Sequence, residues 1–213
     1  MYVPRHFDQQ DASDVTALVK SHPLAALVTR AGSELVANHV PFMLDGELAV
    51  GATLLGHVAK SNEVWQQTDP AADVLLIFQG PSAYITPNWY PSKQEHHQVV
   101  PTYNYVVAHV YGRLVASHDE QVKRKIVEQL TATMEQGRAS PWKVSDAPAD
   151  FITTLLGAIF ALELSVTRIQ AKWKVSQNRS TVDRDGVAAG LAQDGPSDFE
   201  QKMSQIVRSG RVA

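Results

Sequence analysis

The sequence predicts a mainly β chain of the α+β kind, an antiparallel meander or barrel with peripheral helices. Three observations predict it. Strand-like runs in the first third are joined by turn signals, of which Asp45-Gly46 between two apolar runs is the strongest. Two later runs, Thr102 to Ala116 and Ala158 to Ile169, are long and rich in β-branched and aromatic residues. Helical periodicity is strong only over Asp119 to Gln136. With 213 residues, 44% of them hydrophobic, the chain can bury one large core without staples.

In order, Ser13 is placed to cap a helix from Asp14 to Ser21, which Pro23 stops. Leu24 to Thr29 reads as a buried strand, and Glu34 to Leu44 as the next after the Ala31-Gly32 turn. Glu47 to Leu55 is expected to return from the Asp45-Gly46 hairpin. Gly56-His57-Val58-Ala59-Lys60 then leads to a helix capped by Ser61 or Asn62. Asp73 to Gln79 is a core strand. Between Gly80 and Tyr111 lies a proline-punctuated stretch dense in aromatics. In the helix Asp119 to Gln136, Val122, Ile126, Val127, Leu130 and Met134 form the apolar face, and Lys123-Arg124-Lys125 the solvated one. Helices at Ala149 to Leu156, Val182 to Ala192 and Ser197 to Arg208 complete the list. Residues 1–175 are expected to form the β domain with its inserted helices, and 176–213 a polar signature segment and helices packed on it.

Composition removes several classes of function. Without cysteine there is no disulfide, thiolate metal site or cysteine nucleophile. The start MYVPRHFDQQD lacks a basic stretch followed by an apolar run, and no apolar stretch approaches the ~18 residues of a spanning helix. A cytoplasmic location is expected. Net charge is −3, unevenly spread: residues 168–213 carry 8 Lys and Arg against 5 Asp and Glu. A mildly basic C-terminal end suits an acidic partner, a phosphate or a second subunit. It is too weak to argue for nucleic acid. No Walker loop, GxGxxG, HExxH or GxSxG pattern occurs, and the adjacent His96 and His97 would face opposite ways on a strand.

Three stretches carry candidate chemistry. Gln170 to Ser180 sets Lys172, Lys174 and Arg179 around Trp173, groups that could hold a phosphate or a carboxylate, or pin a dimer partner. Gly56 to Asn62 sets His57 and Lys60 before a helix start, a pattern fit for an anion or for a plain surface turn. The aromatic stretch gathers Tyr84, Trp89, Tyr90, Tyr103 and Tyr105 beside Asn88, Lys93 and Asn104. Flat amphipathic rings with polar neighbours suit a planar ligand; equally, the loop folds back on the barrel wall or lies in a subunit interface.

The motifs MYVPRHF, ANHVPF, GHVAKSN, GPSAYITPNWYPSK, VPTYNYVVAHVYG and KWKVSQNRS followed by DRDGVAAGL occur in order along nearly the whole chain. Together they closely resemble the PaiB family, described as FMN-binding negative transcriptional regulators. The resemblance implies an FMN-binding split β-barrel, forming a homodimer with flavin in the groove between subunits. It implies that Asn38, His39 and Val40 run beside the flavin ring. Thr53, Leu54, His57 and Lys60 would meet the ribityl chain and phosphate, with His57 where related families use arginine. Trp89, Tyr103 and Asn104 would close the pocket, and Lys172, Trp173 and Arg179 would lie at the groove or interface. The first expectation is therefore an FMN-binding homodimer with a family label of transcriptional regulator. No segment reads as a helix-turn-helix with a basic recognition helix, so direct DNA binding is not expected. Two alternatives remain. One is an FMN-dependent oxidoreductase of a small planar substrate. The other is a haem-binding protein, with His39, His57 or His109 as axial ligand, or a cofactor-free interaction scaffold.

Overall fold

The computed structural model describes residues 1–69, 71–195 and 197–212. Its six strands are β1 (Leu24–Ala31), β2 (Glu34–Leu44), β3 (Thr53–Ala59), β4 (Asp73–Ile85), β5 (Thr102–Ser117) and β6 (Ile159–Lys174). They close into a barrel in the order β1-β2-β3-β6-β5-β4. Every pairing with an assigned register is antiparallel, as the turn-linked strands predicted. The helices are α1 (Ala12–Ser21), α2 (Val64–Gln67), α3 (Lys93–His96), α4 (Glu120–Glu135), α5 (Ala149–Gly157), α6 (Thr181–Asp194) and α7 (Asp198–Ser209). Two compact units emerge, and β4, β5 and β6 each contribute residues to both.

One unit comprises Pro23–Ile77 and Val110–Ile169. Alternation along β1, β2 and β3 sends Leu27, Phe42 and Leu54 into the barrel, where each is fully buried with Leu76, Leu162 and Leu164. The β1–β2 hairpin keeps register from Ala31↔Glu34 to Leu24↔Pro41. Two expectations need correction here. The turn at Asp45-Gly46 forms, but it does not open a tight hairpin. The chain makes a second turn, with the Ala52 N–H on the Ala49 carbonyl, before β3 starts at Thr53 rather than Glu47. Helix α4 is capped by the Asp119 carboxylate, as its sequence promised. Its basic run, however, is not all solvated. Lys123 is buried, and its ammonium donates to the Leu156 carbonyl at 2.7 Å, with His118 Nδ1 at 3.2 Å. A cation there meets the carbonyl-rich end of α5. Met134, expected in the apolar face, is exposed.

The other unit comprises Met1–His22, Phe78–His109 and Gln170–Ala213. The C-terminal segment from residue 176 thus shares its unit with the N-terminus and the aromatic stretch. Helix α1 is capped by Asp11, whose side chain accepts from the Ser13 and Asp14 N–H groups, not by Ser13. The aromatic stretch folds onto α6. Gly186 and Gly190, one turn apart, leave a flat track on that helix. A Cβ at Gly190 would lie 2.3 Å from the Trp89 ring, and one at Gly186 only 2.2 Å from the Trp89 carbonyl oxygen. Trp89 Nε1 donates to Asp194 Oδ2 at 3.0 Å. Asp183 accepts from both the backbone N–H and the hydroxyl of Ser92, at 3.1 and 2.9 Å. Tyr90 is buried, with the Arg179 guanidinium 4.9 Å from its ring centroid.

The two glycines predict an order of damage. Gly190→Ala presses a methyl on the Trp89 side chain, and Gly186→Ala presses one on main chain. Urea denaturation is expected to show a loss of about 1–3 kcal/mol for Gly190→Ala and a larger one for Gly186→Ala. Equal stability of both variants with wild type would mean that the loop is not seated on α6.

Candidate functional site

In the first of these units the sheet parts where proline enters it. Register between β2 and β3 covers Phe42↔Gly56, Met43↔Leu55 and Leu44↔Leu54, and then stops. Both strands continue, β2 back to Glu34 and β3 on to Ala59. The next pair would be Pro41 with His57. The Phe42 N–H points to β1, donating to the Pro23 carbonyl, so in the alternating pattern the Pro41 nitrogen points to β3. It has no hydrogen to donate, and the ladder ends there.

Beyond that point stand most of the residues that the family resemblance selected in this unit. His39 is exposed on β2. Asn38 faces the opposite way, and its Oδ1 accepts from Asn62 Nδ2 at 2.8 Å. Its own Nδ2 is buried without a partner. On β3, His57 is half-buried and its Nδ1 is buried without a partner. Burial pushes its pKa down, so the ring is neutral near pH 7. Lys60 is exposed, and its ammonium has no hydrogen-bond or ion-pair partner among the described residues. Its main chain is fixed by the Lys60 N–H on the Ala158 carbonyl and by Trp65 Nε1 on the Lys60 carbonyl. Val40 and Leu54 point into the barrel at 3% and 0% exposure, so only their backbones can reach a ligand. Thr53 lies at the exposed start of β3, opposite Ser165.

The helix after Lys60 is weaker than expected. Helix α2 is a single turn, so its dipole adds little, and Asn62 Oδ1 already takes the Val64 N–H. The N-cap position is Glu63 rather than Ser61 or Asn62, and Asn62 also bridges to Asn38 across the parted strands. The sequence signal for this arrangement was Pro41 inside an otherwise regular strand pattern.

In the other unit, the selected residues serve the fold to different degrees. Asn104 is 1% exposed and exchanges hydrogen bonds with the Ser176 hydroxyl. Trp173 is buried, and its Nε1 has no partner. Trp89 and Arg179 belong to the seat on α6. The aromatic stretch therefore folds back on its own chain, with Trp89 seated on α6. Asp183 helps to set that seat. Burial alone would raise its carboxyl, but the Ser92 and Ser180 hydrogen bonds and the Arg179 charge outweigh it and hold the pKa low. Tyr103 stays exposed at 59%, and Lys172 is buried beside Tyr105.

A flavin mononucleotide presents a phosphate, hydroxyls and a ring edged with donors and acceptors. Among the described residues, the parted strands offer one cation without a partner, Lys60, and two unpartnered buried polar atoms, on Asn38 and His57. Buried polar atoms without partners are rare enough to need an explanation, and a polar ligand supplies one. The chemistry of these side chains suits FMN: Lys60 is a cation without a partner, and the His57 ring is neutral.

The depressed His57 predicts a pH dependence. Its pKa is lower folded than the unfolded value of about 6.5. Protons therefore favour the unfolded chain, and stability is full above that value and falls as pH drops through and below it. In the ligand-free protein, His57→Gln is expected to flatten the acid side of the stability profile measured by thermal unfolding. An unchanged profile would show that the ring is not held neutral.

A family model described as "Putative FMN-binding domain" matches residues 1–168. Protein AN0679 of Emericella nidulans is 32% identical over 244 residues, covering 98% of this chain and 96% of that one. Protease synthase and sporulation protein PAI 2 of Bacillus subtilis is 31% identical over 186 residues, covering 86% and 85%. Among solved structures, the flavocytochrome Anf3 from Azotobacter vinelandii matches with a TM-score of 0.58 at 15% identity, covering 81% of this chain and 72% of that one. The FAD and heme binding protein from Mycobacterium smegmatis matches with a TM-score of 0.57 at 17% identity, covering 78% and 72%. At those identities the structural likeness speaks for the fold alone, a split β-barrel. The family match over residues 1–168 and the 31% identity to PAI 2 show that the chain belongs to the PaiB-like FMN-binding family its motifs resemble.

Proposed function

We propose that the protein binds FMN, with the phosphate paired to Lys60 and the polar edges of the cofactor satisfied at Asn38 and His57. The unpartnered Nδ1 of His57 beside the parted strands is the observation that carries this reading. His39 lies on the same stretch of β2, and Thr53 at the other end of β3. When bound, the flavin supplies redox chemistry, and the protein sets its access and surroundings. The chain's own residues bind and orient: Lys60 neutralises charge, Trp65 fixes the Lys60 turn, and Asn62 holds Asn38 in place.

The assembly we propose is a homodimer, with two equivalent sites related by a two-fold axis. The regulatory role rests on the family label and on the sporulation and protease-synthesis name of the Bacillus relative. We place that role on a small molecule or a protein partner rather than on DNA. Helix α4 was the best candidate for a recognition helix. Its basic run has Lys123 buried on Leu156, and Arg124 pairs with Glu120 at 3.5 Å, which leaves little charge to face phosphates.

Titrating FMN into the purified protein, read by flavin fluorescence, is expected to saturate at one FMN per chain. Lys60→Ala is expected to weaken binding by about 1–3 kcal/mol, the range for a hydrogen bond to a charged group. Equal affinity in both proteins would remove Lys60 from the phosphate. No saturation at any FMN concentration would overturn the cofactor assignment.

A further inference from the structure

We propose that the C-terminal end of β6, with the facing end of β5, forms a second binding site, for a small planar organic anion carrying a phosphate or carboxylate. Two lysines make it. Lys172 and Lys174 are two residues apart on one strand and so share a face. Lys172 is 8% exposed. Its ammonium donates to the Tyr2 carbonyl at 3.2 Å and lies 5.3 Å from the Tyr105 ring centroid. Lys174 donates to Thr102 Oγ1 and, at 2.5 Å, to the Tyr103 carbonyl. Every oxygen these two cations touch is neutral. Neither has a carboxylate within 4.0 Å among the described residues, where all three ion pairs lie elsewhere.

Nearby carboxylates are engaged otherwise. Asp8 pairs with Lys172 through a backbone bridge, and its side chain takes the Gln10 amide at 2.8 Å. Asp183 is bound to Ser92 and is felt by Arg179. The cationic field is therefore uncompensated. Burial lowers the Lys174 pKa, and the charges of Lys172 and Arg179 lower it further. Holding like charges together out of water costs free energy that a bound anion would recover. Each ammonium has three N–H donors, so both retain a donor after the bonds named above.

The planar part of the ligand follows from the tyrosines. Tyr103 and Tyr105 share a face of β5, two residues apart. Tyr103 is 59% exposed and Tyr84 is 47% exposed, and their rings meet edge to face with centroids 5.8 Å apart. Rings of this size normally find cover. An aromatic or heteroaromatic body laid on Tyr103 would place its acidic group toward Lys174. Nothing in this argument depends on the FMN assignment at Lys60.

Calorimetric titration of the full chain with phenylphosphonate, with and without added FMN, tests the site. Saturable binding at one per chain is expected, with no binding of neutral benzyl alcohol. Lys174→Met is expected to weaken the phosphonate at least ~10-fold, as loss of a charge-assisted bond should. Tyr103→Ala should weaken it too. Lys172→Met tests the buried partner; the half-buried Lys174 keeps the test open if that variant does not fold. Two results would overturn the proposal. They are absence of saturable binding and affinity indifferent to Lys174→Met. A Lys174→Met variant that changes its oligomeric state but not its affinity would assign the lysines to a carboxylate of a second copy instead. If FMN itself fails to bind, the titration of the ligand-free chain still decides the phosphonate site.

Discussion

A hydrogen that proline lacks decides where this sheet can part. β1 pairs with β2 along its whole length, and β3 pairs with β6 from Thr53 to Ala59. Between β2 and β3 the ladder holds for three pairs and ends at the residue whose nitrogen cannot donate. Asn38, His57 and Lys60, the residues proposed to hold the cofactor, sit at or just past that point. The barrel residues Phe42, Leu54 and Val58 keep both strands anchored from the inside, so the parting is local. Asn62 ties itself to Asn38, and one buried amide nitrogen of Asn38 and one imidazole nitrogen of His57 have no partner among the described residues.

In the other unit a different constraint governs. Helix α6 has poor helix formers at two positions of one face, and the cost of Gly186 and Gly190 is about 1 kcal/mol each relative to alanine. The contact they permit offsets that cost, because Trp89 lies flat on the helix and its indole N–H reaches Asp194. Asp183 and Arg179, at the start of the same segment, hold Ser92 and Tyr90. The stretch that was densest in aromatics is thus largely structural, and the exposed remainder of its rings, Tyr84 and Tyr103, lies instead beside the lysines of β6.

Strand identities and the α4 helix were legible in the sequence because period-two alternation and an Asp119 cap are local signals. Glu34 to Leu44 matches β2 end for end. The start of β3 was not legible. Asp45-Gly46 does turn the chain, but the second turn near Gly51 depends on pairing with Val166, far along the sequence. Lys123 was misread for a similar reason: its burial is set by the end of α5, which no helical wheel contains. For the candidate site, His57 and Lys60 were found by residue type and spacing. The family resemblance supplied Asn38, and only tertiary structure could tell that Val40 and Leu54 point inward. The glycine track on α6 was visible as DRDGVAAGL, but its partner Trp89 lies 97 positions from Gly186 in the chain, a pairing no local pattern encodes.

Hydrogen exchange of backbone amides with and without saturating FMN tests the central assignment most directly. The account predicts slowed exchange at residues 38–42 and 55–62, along the parted ends of β2 and β3. Protection confined to residues 102–105 and 172–179, with those segments unchanged, would contradict it and move the flavin away from Lys60.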